Sequence, residues 1–403
     1  MQTIRIIIIA LLLPMVTLAQ KVSVSGKVTS ADTKATIPGA SVYLSNSSVG
    51  TSTGNDGGFS LNGLNPGQYM LVVSAVGYES STQTILINNQ EVKLDVSLSP
   101  KIIALNEVRI TPMSKSDRRE ALARFKTEFI GAGPYAADCK IVNPDVLSFS
   151  FLNNKAILQA STSDFLIVDN DALGYRIKFT LKSYESNVYT GDIVYKGARV
   201  FEEMKGGDSK KRKWYQRRDN VYYGSAMHFY RSLAKDSLEA NGFKIYRLSR
   251  QMNNARPSDE EIEKALVRTS RFKRDSVMYW AKLQRSSHYI NNKFKGKFLV
   301  KDIVQQSEKP GLFGLRFPDN LYVQYNKRWE TNFYRDVYRS PDDLNYATTI
   351  VSMTGERTFI VFDKNGAIIG DGPFYEGDWS QQRISTQLPV DYLPYGKLPR
   401  SLP

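Results

Sequence analysis

The sequence predicts a mainly β chain: a small seven-stranded sandwich near the N-terminus, followed by a mixed, mostly antiparallel β region with a few helices. Apolar residues alternate at period two over much of its length. Glycine, proline and asparagine turns punctuate those runs at short intervals. Only a few stretches carry the three- and four-residue spacing of an amphipathic helix. The 403 residues are 41% hydrophobic and 11% aromatic, a globular balance. That is chain enough for two or three domains of about 100 to 200 residues each.

Met1-Gln-Thr-Ile-Arg5 carries one positive side chain and leads into an apolar run from Ile6 to Leu13, and Thr17-Leu-Ala19 sets small residues before Gln20. This order predicts a secretory signal peptide over residues 1–19, since the apolar run falls short of the about 20 residues of a membrane-crossing helix. The protein is therefore expected to be exported, to the periplasm or the periphery of the outer membrane of a Gram-negative envelope. Its net charge of +14 suits peripheral membrane association. Export removes nucleic acid as the partner of that charge, leaving an envelope protein or an anionic glycan or lipid. The single cysteine, Cys139, cannot form an internal disulfide and reads as a buried, inert thiol.

Residues 20–100 hold the sandwich. Val22-Ser-Val24 and Gly26-Lys-Val28 open it, and Ile37-Pro-Gly-Ala40 turns into Val42-Tyr-Leu44. Gly50 to Gly57 is a glycine-rich turn, after which Phe59 and Leu61 resume the inward face. Pro66-Gly67 turns into Tyr69, Leu71 and Val73, and Val92 to Leu98 alternates to the end. With Pro38-Gly-Ala-Ser-Val42, Gly50-Thr-Ser-Thr53, Gly57-Gly-Phe-Ser-Leu61, Gly67-Gln-Tyr69 and Ser74-Ala-Val-Gly-Tyr78, the stretch resembles the carboxypeptidase regulatory-like family. The resemblance implies an Ig-like (prealbumin-like) sandwich serving as an accessory domain. One position departs from the family: Gly54 stands where an acidic residue usually follows the second threonine, and Asp56 comes two positions later.

In metallocarboxypeptidases the zinc lies in a separate domain built on a His-x-x-Glu pair. The two histidines here open His228-Phe-Tyr-Arg231 and His288-Tyr-Ile-Asn291, neither of which is such a pair. No catalytic residue, metal ligand or cofactor is assigned from the sequence. The same module precedes the plug and barrel of TonB-dependent receptors, whose junction Ala104-Leu-Asn-Glu-Val-Arg-Ile-Thr111 resembles. A barrel of about 22 strands needs more chain than follows, so residues 101–116 read as a linker.

Residues 117–403 read as an α+β region, in two lobes near 117–255 and 256–403. Asp117 with Glu120 looks like a capping pair, opening a helix with Leu122, Phe125 and Phe129 on one face and Gly131 at its end. Alternating runs follow at 147–151, 157–160, 165–168, 173–181 and 188–200. The densest segment is Lys210-Lys-Arg-Lys-Trp-Tyr-Gln-Arg-Arg218. Basic residues interleaved with aromatics can hold an anionic polymer, which makes Lys210, Lys211, Arg212, Lys213, Arg217 and Arg218 candidate anion or partner contacts. The competing reading is a solvated loop at Lys210–Lys213, with Trp214, Tyr215, Tyr222 and Tyr223 packed on the sheet. Met227, Tyr230 and Leu233 have helical spacing, continued by Leu238 up to Gly242, with His228 as a packed histidine.

Ser258-Asp-Glu-Glu261 is a capping box ahead of Ile262, Ala265 and Leu266. A basic, mixed stretch runs on to Lys297. Strands are expected at 298–304, 321–325 and 347–353, then a hairpin from Arg357 that turns at Asp363-Lys-Asn-Gly366 and returns to Ile369. Phe125-Lys-Thr-Glu-Phe-Ile-Gly131, Leu173-Gly-Tyr175, Arg217-Arg218, Tyr223-Gly-Ser225 and His228-Phe229 resemble an uncharacterised region that accompanies the sandwich in envelope proteins. No activity comes with that resemblance. The sequence thus points to a non-catalytic cell-envelope protein that binds or scaffolds. The alternative is an unrecognised hydrolase of an envelope or glycan substrate, drawing two acids from Glu202-Glu203, Asp259-Glu-Glu261 or Glu376-Gly-Asp378.

Overall fold

Eight strands build the N-terminal module: β1 (Val22–Ser30), β2 (Ser41–Leu44), β3 (Gly50–Ser52), β4 (Gly58–Leu64), β5 (Gly67–Ser74), β6 (Ser81–Ile87), β7 (Val92–Lys93) and β8 (Val96–Leu98). The computed structural model describes residues 22–64, 67–87, 90–101, 113–269, 274–309, 311–330, 338, 345–353, 355 and 357–395. The expected signal peptide and the Ala104–Thr111 segment lie outside them. One sheet has β1 at its centre, flanked by β4 and by β7 and β8, and the other runs β3-β2-β5-β6. Val24, Val28, Val42, Leu61, Leu71 and Ile87 meet between the sheets.

The expected seventh strand is interrupted, which makes eight. Both β7 and β8 run parallel to β1. Between them Lys27 turns its N–H to the Asp95 carboxylate at 2.8 Å instead of to a main-chain carbonyl. The turn at the departing Gly54 still closes: Gly54 N–H reaches Gly58 O at 2.9 Å and Gly58 N–H reaches Asp56 Oδ1 at 3.0 Å.

Helix α1 (Lys115–Ile130) follows, with Phe125 and Phe129 fully buried. Its cap is Ser114, whose Oγ accepts the Asp117 N–H at 3.0 Å, rather than Asp117 as expected. Asp117 and Glu120 instead both hold Lys155 Nζ, at 2.6 Å each. The six-stranded antiparallel sheet beneath comprises β9 (Cys139–Ile141), β10 (Leu147–Leu152), β11 (Ile157–Thr162), β12 (Leu166–Asn170), β13 (Tyr175–Asn187) and β14 (Ile193–Glu203). Strand β13 is long enough for β11 and β12 to share one of its edges while β14 covers the other.

Two helices link this sheet to the next, α2 (Asp208–Tyr222) and α3 (Ala226–Ala234). The loop expected at Lys210–Lys213 is therefore helical. Lysine and arginine are good helix formers, and Trp214, Arg218 and Tyr222, four apart, make one buried face. Helix α3 stops at Ala234, short of Gly242, because the chain turns at Asp236, φ 48°. The second sheet, β16-β15-β19-β20-β23, is formed by β15 (Phe243–Met252), β16 (Tyr289–Lys297), β19 (Asn320–Trp329), β20 (Tyr346–Ser352) and β23 (Phe374–Gly377). Helices α4 (Asp259–Thr269) and α5 (Arg274–Arg285) lie between β15 and β16, so the stretch to Lys297 is more regular than its composition suggests. The strand expected at 298–304 is mostly a helical turn, α6 (Val300–Ile303), capped by the Asp302 carboxylate on Leu299 N–H at 3.3 Å. A small sheet of β17 (Val304–Gln306), β18 (Leu312–Leu315), β21 (Ile360–Asp363) and β22 (Ile368–Ile369) carries the expected hairpin.

The cores change over earlier than residue 255. The first gathers α1, the six-stranded sheet and Tyr222, and the second begins at Phe229. The reason is pairing: β15 lies beside β19, with Phe243–Leu248 opposite Asn320–Tyr325, and so belongs to the second sheet. The end of the described chain then returns to the first core through Ile384, Leu388 and Tyr392.

Candidate functional site

Helix α2 carries the basic segment, and its two faces have different chemistry. Inward, Trp214 donates Nε1–H to Asp171 O at 2.8 Å, and its ring covers Gly174. At φ 69° and with a would-be Cβ 2.2 Å from that ring, position 174 admits only glycine if α2 is to seat here. One turn further, Arg218 donates Nε–H to Leu173 O at 2.7 Å, Nη2–H to Gly174 O at 3.3 Å and Nη1–H to Glu203 Oε1 at 2.7 Å. Its guanidinium lies 3.8 Å from the centre of the Tyr175 ring, and only 2% of the side chain is exposed. Arg218 therefore cannot serve as an external anion contact. It ties α2 to the Leu173–Tyr175 turn.

The other candidates divide. Lys210 lies 3.7 Å from Asp171 and over Trp214, while Arg217 lies 3.9 Å from Asp138, over Tyr135, and donates to Ala172 O at 3.3 Å. Such exposed pairs hold about 0–1 kcal/mol and leave both cations available to solvent. Lys211, Arg212 and Lys213 stand exposed on the outward face. Tyr215, stacked on Tyr395 at 5.6 Å, sits beside them.

His228 is sealed below this helix, 3% exposed, with Tyr222, Tyr223 and Phe243 around its ring. Its Nδ1 accepts the Gly224 N–H at 3.1 Å, so the ring proton sits on Nε2 and is donated to Asn241 Oδ1, also at 3.1 Å. Burial pushes its pKa down to about 4. A neutral imidazole with both nitrogens committed has no lone pair left for a base. Ser225 caps α3 through the His228 N–H at 3.2 Å, and Gly224 O accepts Trp379 Nε1–H at 2.8 Å. Thus Leu173–Tyr175, Arg218, Gly224, Ser225 and His228, singled out separately in the sequence, line one buried seam where the two cores meet.

His288 pairs through Nε2 with Asp259 Oδ2 at 2.9 Å. Of the candidate acids, Glu376 is held by Arg250, Asp378 by Arg328, Glu202 by Lys178, Glu203 by Arg218, Asp259 by Arg256 and Glu260 by Lys264, while Glu261 accepts the Ser258 N–H and hydroxyl. Among the described residues, no group of three or more His, Cys, Asp or Glu could hold a metal ion, and no helix is long and apolar enough to cross a membrane. Cys139 is buried, its thiol pushed up to about 12 by desolvation and then by Asp138 and Asp171.

Sequence reasoning missed the joint between the sandwich and the rest. Asn46, in the left-handed region at φ 62°, turns the loop after β2 out onto the edge of β14. There Asn46 N–H bonds Arg199 O at 2.6 Å and Phe201 N–H bonds Ser47 O at 2.9 Å, a strand-like extension of the six-stranded sheet. The C-terminal segment clamps the same loop: Val390 N–H reaches Asn46 O at 2.7 Å, and Asp391 takes Ser48 N–H at 2.7 Å and its hydroxyl. Tyr43 and Val72 of the sandwich pack on Ala198 and Val200 beneath. Arg231 locks the clamp by donating to Asn365 O, Val390 O and Tyr392 O, each at 2.8 Å.

No curated protein matches the chain. Among solved structures it is similar over a fifth of its length to a group B streptococcus pilus 2b backbone protein, at 21% identity, with 41% of that chain covered and a TM-score of 0.18. The 3-chlorocatechol 1,2-dioxygenase of Rhodococcus opacus gives 11% identity over 20% of this chain and 60% of its own, TM-score 0.17. The C-terminal domain of shaft pilin spaA from Lactobacillus rhamnosus GG gives 18% identity over 20% of this chain and 98% of its own, TM-score 0.17. The family model for the CarboxypepD_reg-like domain matches residues 24–110, and the N-terminal sandwich is a domain of that family.

Proposed function

We propose that the protein is a non-catalytic scaffold of the cell envelope, in which the docked sandwich and the C-terminal region form one rigid frame. That frame offers the outward face of α2 to an anionic envelope partner. The observation that carries this reading is the division of α2: Trp214, Arg218 and Tyr222 are consumed in fixing the helix, while Lys211, Arg212 and Lys213 face solvent. Three cations within one turn on a rigid helix raise the local concentration of a polyanion without a pocket. The commitment of both His228 nitrogens supports a structural over a catalytic use of the seam.

The test compares the full chain with the K211E/R212E/K213E variant, each cross-linked in envelope fractions and recovered by a C-terminal tag. Capture of an anionic glycan, lipid or protein by the wild type, lost in the variant and weakened by salt, is the expected result. Equal capture by both proteins, or turnover of an envelope glycan or peptide by the purified chain, would contradict the proposal.

A further inference from the structure

Helices α4 and α5 project from the second sheet between β15 and β16, and their main packing partner is each other. Only Ile262 and Ala265 of α4 are buried, and no residue of α5 is. Large apolar side chains are left in solvent: Val267 on α4 is 69% exposed, and Met278 and Tyr279 on α5 are 63% and 58% exposed. Apolar surface on this scale, gathered on one projecting element, marks an interaction site.

The charges around it are ordered. The acids Asp259, Glu260, Glu261 and Glu263 gather at the start of α4, where Asp259 is already bound by Arg256 and His288. The far end of α4 carries Arg268, and α5 has Arg274, Lys282 and Arg285 against one acid, Asp275. On α5, Arg274, Met278, Lys282 and Arg285 follow at helical spacing along one outward face, with Tyr279 next to Met278. Exposed Met and Tyr between long cations is the chemistry of a helix lying in a lipid interface: the apolar groups enter below the headgroups while lysine and arginine reach anionic phosphates.

We propose that this helical pair docks the protein on an anionic bilayer surface, with α5 lying in the headgroup region. A second copy of the chain is a poorer occupant, because a two-fold contact on this face would set Arg274, Lys282 and Arg285 against their own symmetry mates. An acidic protein would satisfy the cations but would not need Met278 and Tyr279 set among them on the exposed face of the same helix. The site is separate from α2, and the proposal does not depend on the α2 reading.

Co-sedimentation of the full chain with phosphatidylcholine vesicles, with and without phosphatidylglycerol, tests it, using M278S/Y279S and K282E/R285E variants. The expected result is binding that requires phosphatidylglycerol and falls at least about tenfold in each α5 variant. Failure of the wild type to bind, or α5 variants that bind as the wild type does, would overturn it. So would self-association of the wild type that M278S/Y279S abolishes while vesicle binding persists. Because all substituted side chains are exposed or half-buried, loss of binding with unchanged circular dichroism cannot be attributed to unfolding.

Discussion

At the scale of single residues, the buried seam is governed by what an unpaired polar group costs in a dry interior. Arg218 satisfies two carbonyls and a carboxylate at once; its removal would strand Leu173 O at about 1–3 kcal/mol, while Gly174 O would keep the Met204 N–H at 3.0 Å. His228 makes the same point through pH. Its folded-state value of about 4 lies below the ordinary 6.5, so the unfolded chain takes up the proton first. Its contribution is complete above pH 6.5 and is lost as pH falls through about 4, a swing of about 3 kcal/mol at about 1.36 kcal/mol per unit. In urea unfolding, His228→Gln should lower stability at pH 7.5 and flatten the wild type's decline between pH 6.5 and 4; parallel pH profiles would contradict the assignment. A packed His228 was legible in the sequence, whereas its partner Asn241, across a turn and 13 positions away, was not. The 214, 218, 222 spacing was present too, but an arginine at its centre disguised it as surface.

At the scale of elements, β14 presents an edge that the loop after β2 closes. Val200 is buried against Tyr43 and Val72 there rather than in the first core, so Val200→Glu should open the joint while sparing the sheet. A cost of about 2–4 kcal/mol is expected, with the single calorimetric transition splitting in two as the sandwich unfolds apart from the rest. One transition at an unchanged midpoint would refute this use of the joint. Most strands were legible, because alternation such as Leu94, Val96, Leu98 and the hairpin turn at Asp363–Gly366 are local. Exceptions arose where a side chain from elsewhere intervened. Asp95 intrudes on the β1 ladder and splits the last strand, and Ser114 takes the cap because Lys155, 38 positions away, draws Asp117 outward.

At the scale of the whole molecule, three cores are tied by one returning segment. Ile384, Leu388 and Tyr392 fill the first core, Val390 and Asp391 hold the sandwich loop, and Arg231 of the second core grips the carbonyls of Val390 and Tyr392. None of this was legible in the sequence, since the bonds join residues 159 to 343 positions apart and no motif encodes them. The scaffold reading depends on that tie, because a sandwich swinging on residues 101–116 would offer no fixed frame. The most direct measurement is amide hydrogen exchange at Asn46, Phe201 and Val390, whose N–H groups make the joint. A rigid frame predicts protection close to that of the β13–β14 ladder. Exchange at the rate of an open loop, with the ladder still protected, would show that the sandwich moves independently and would contradict the account.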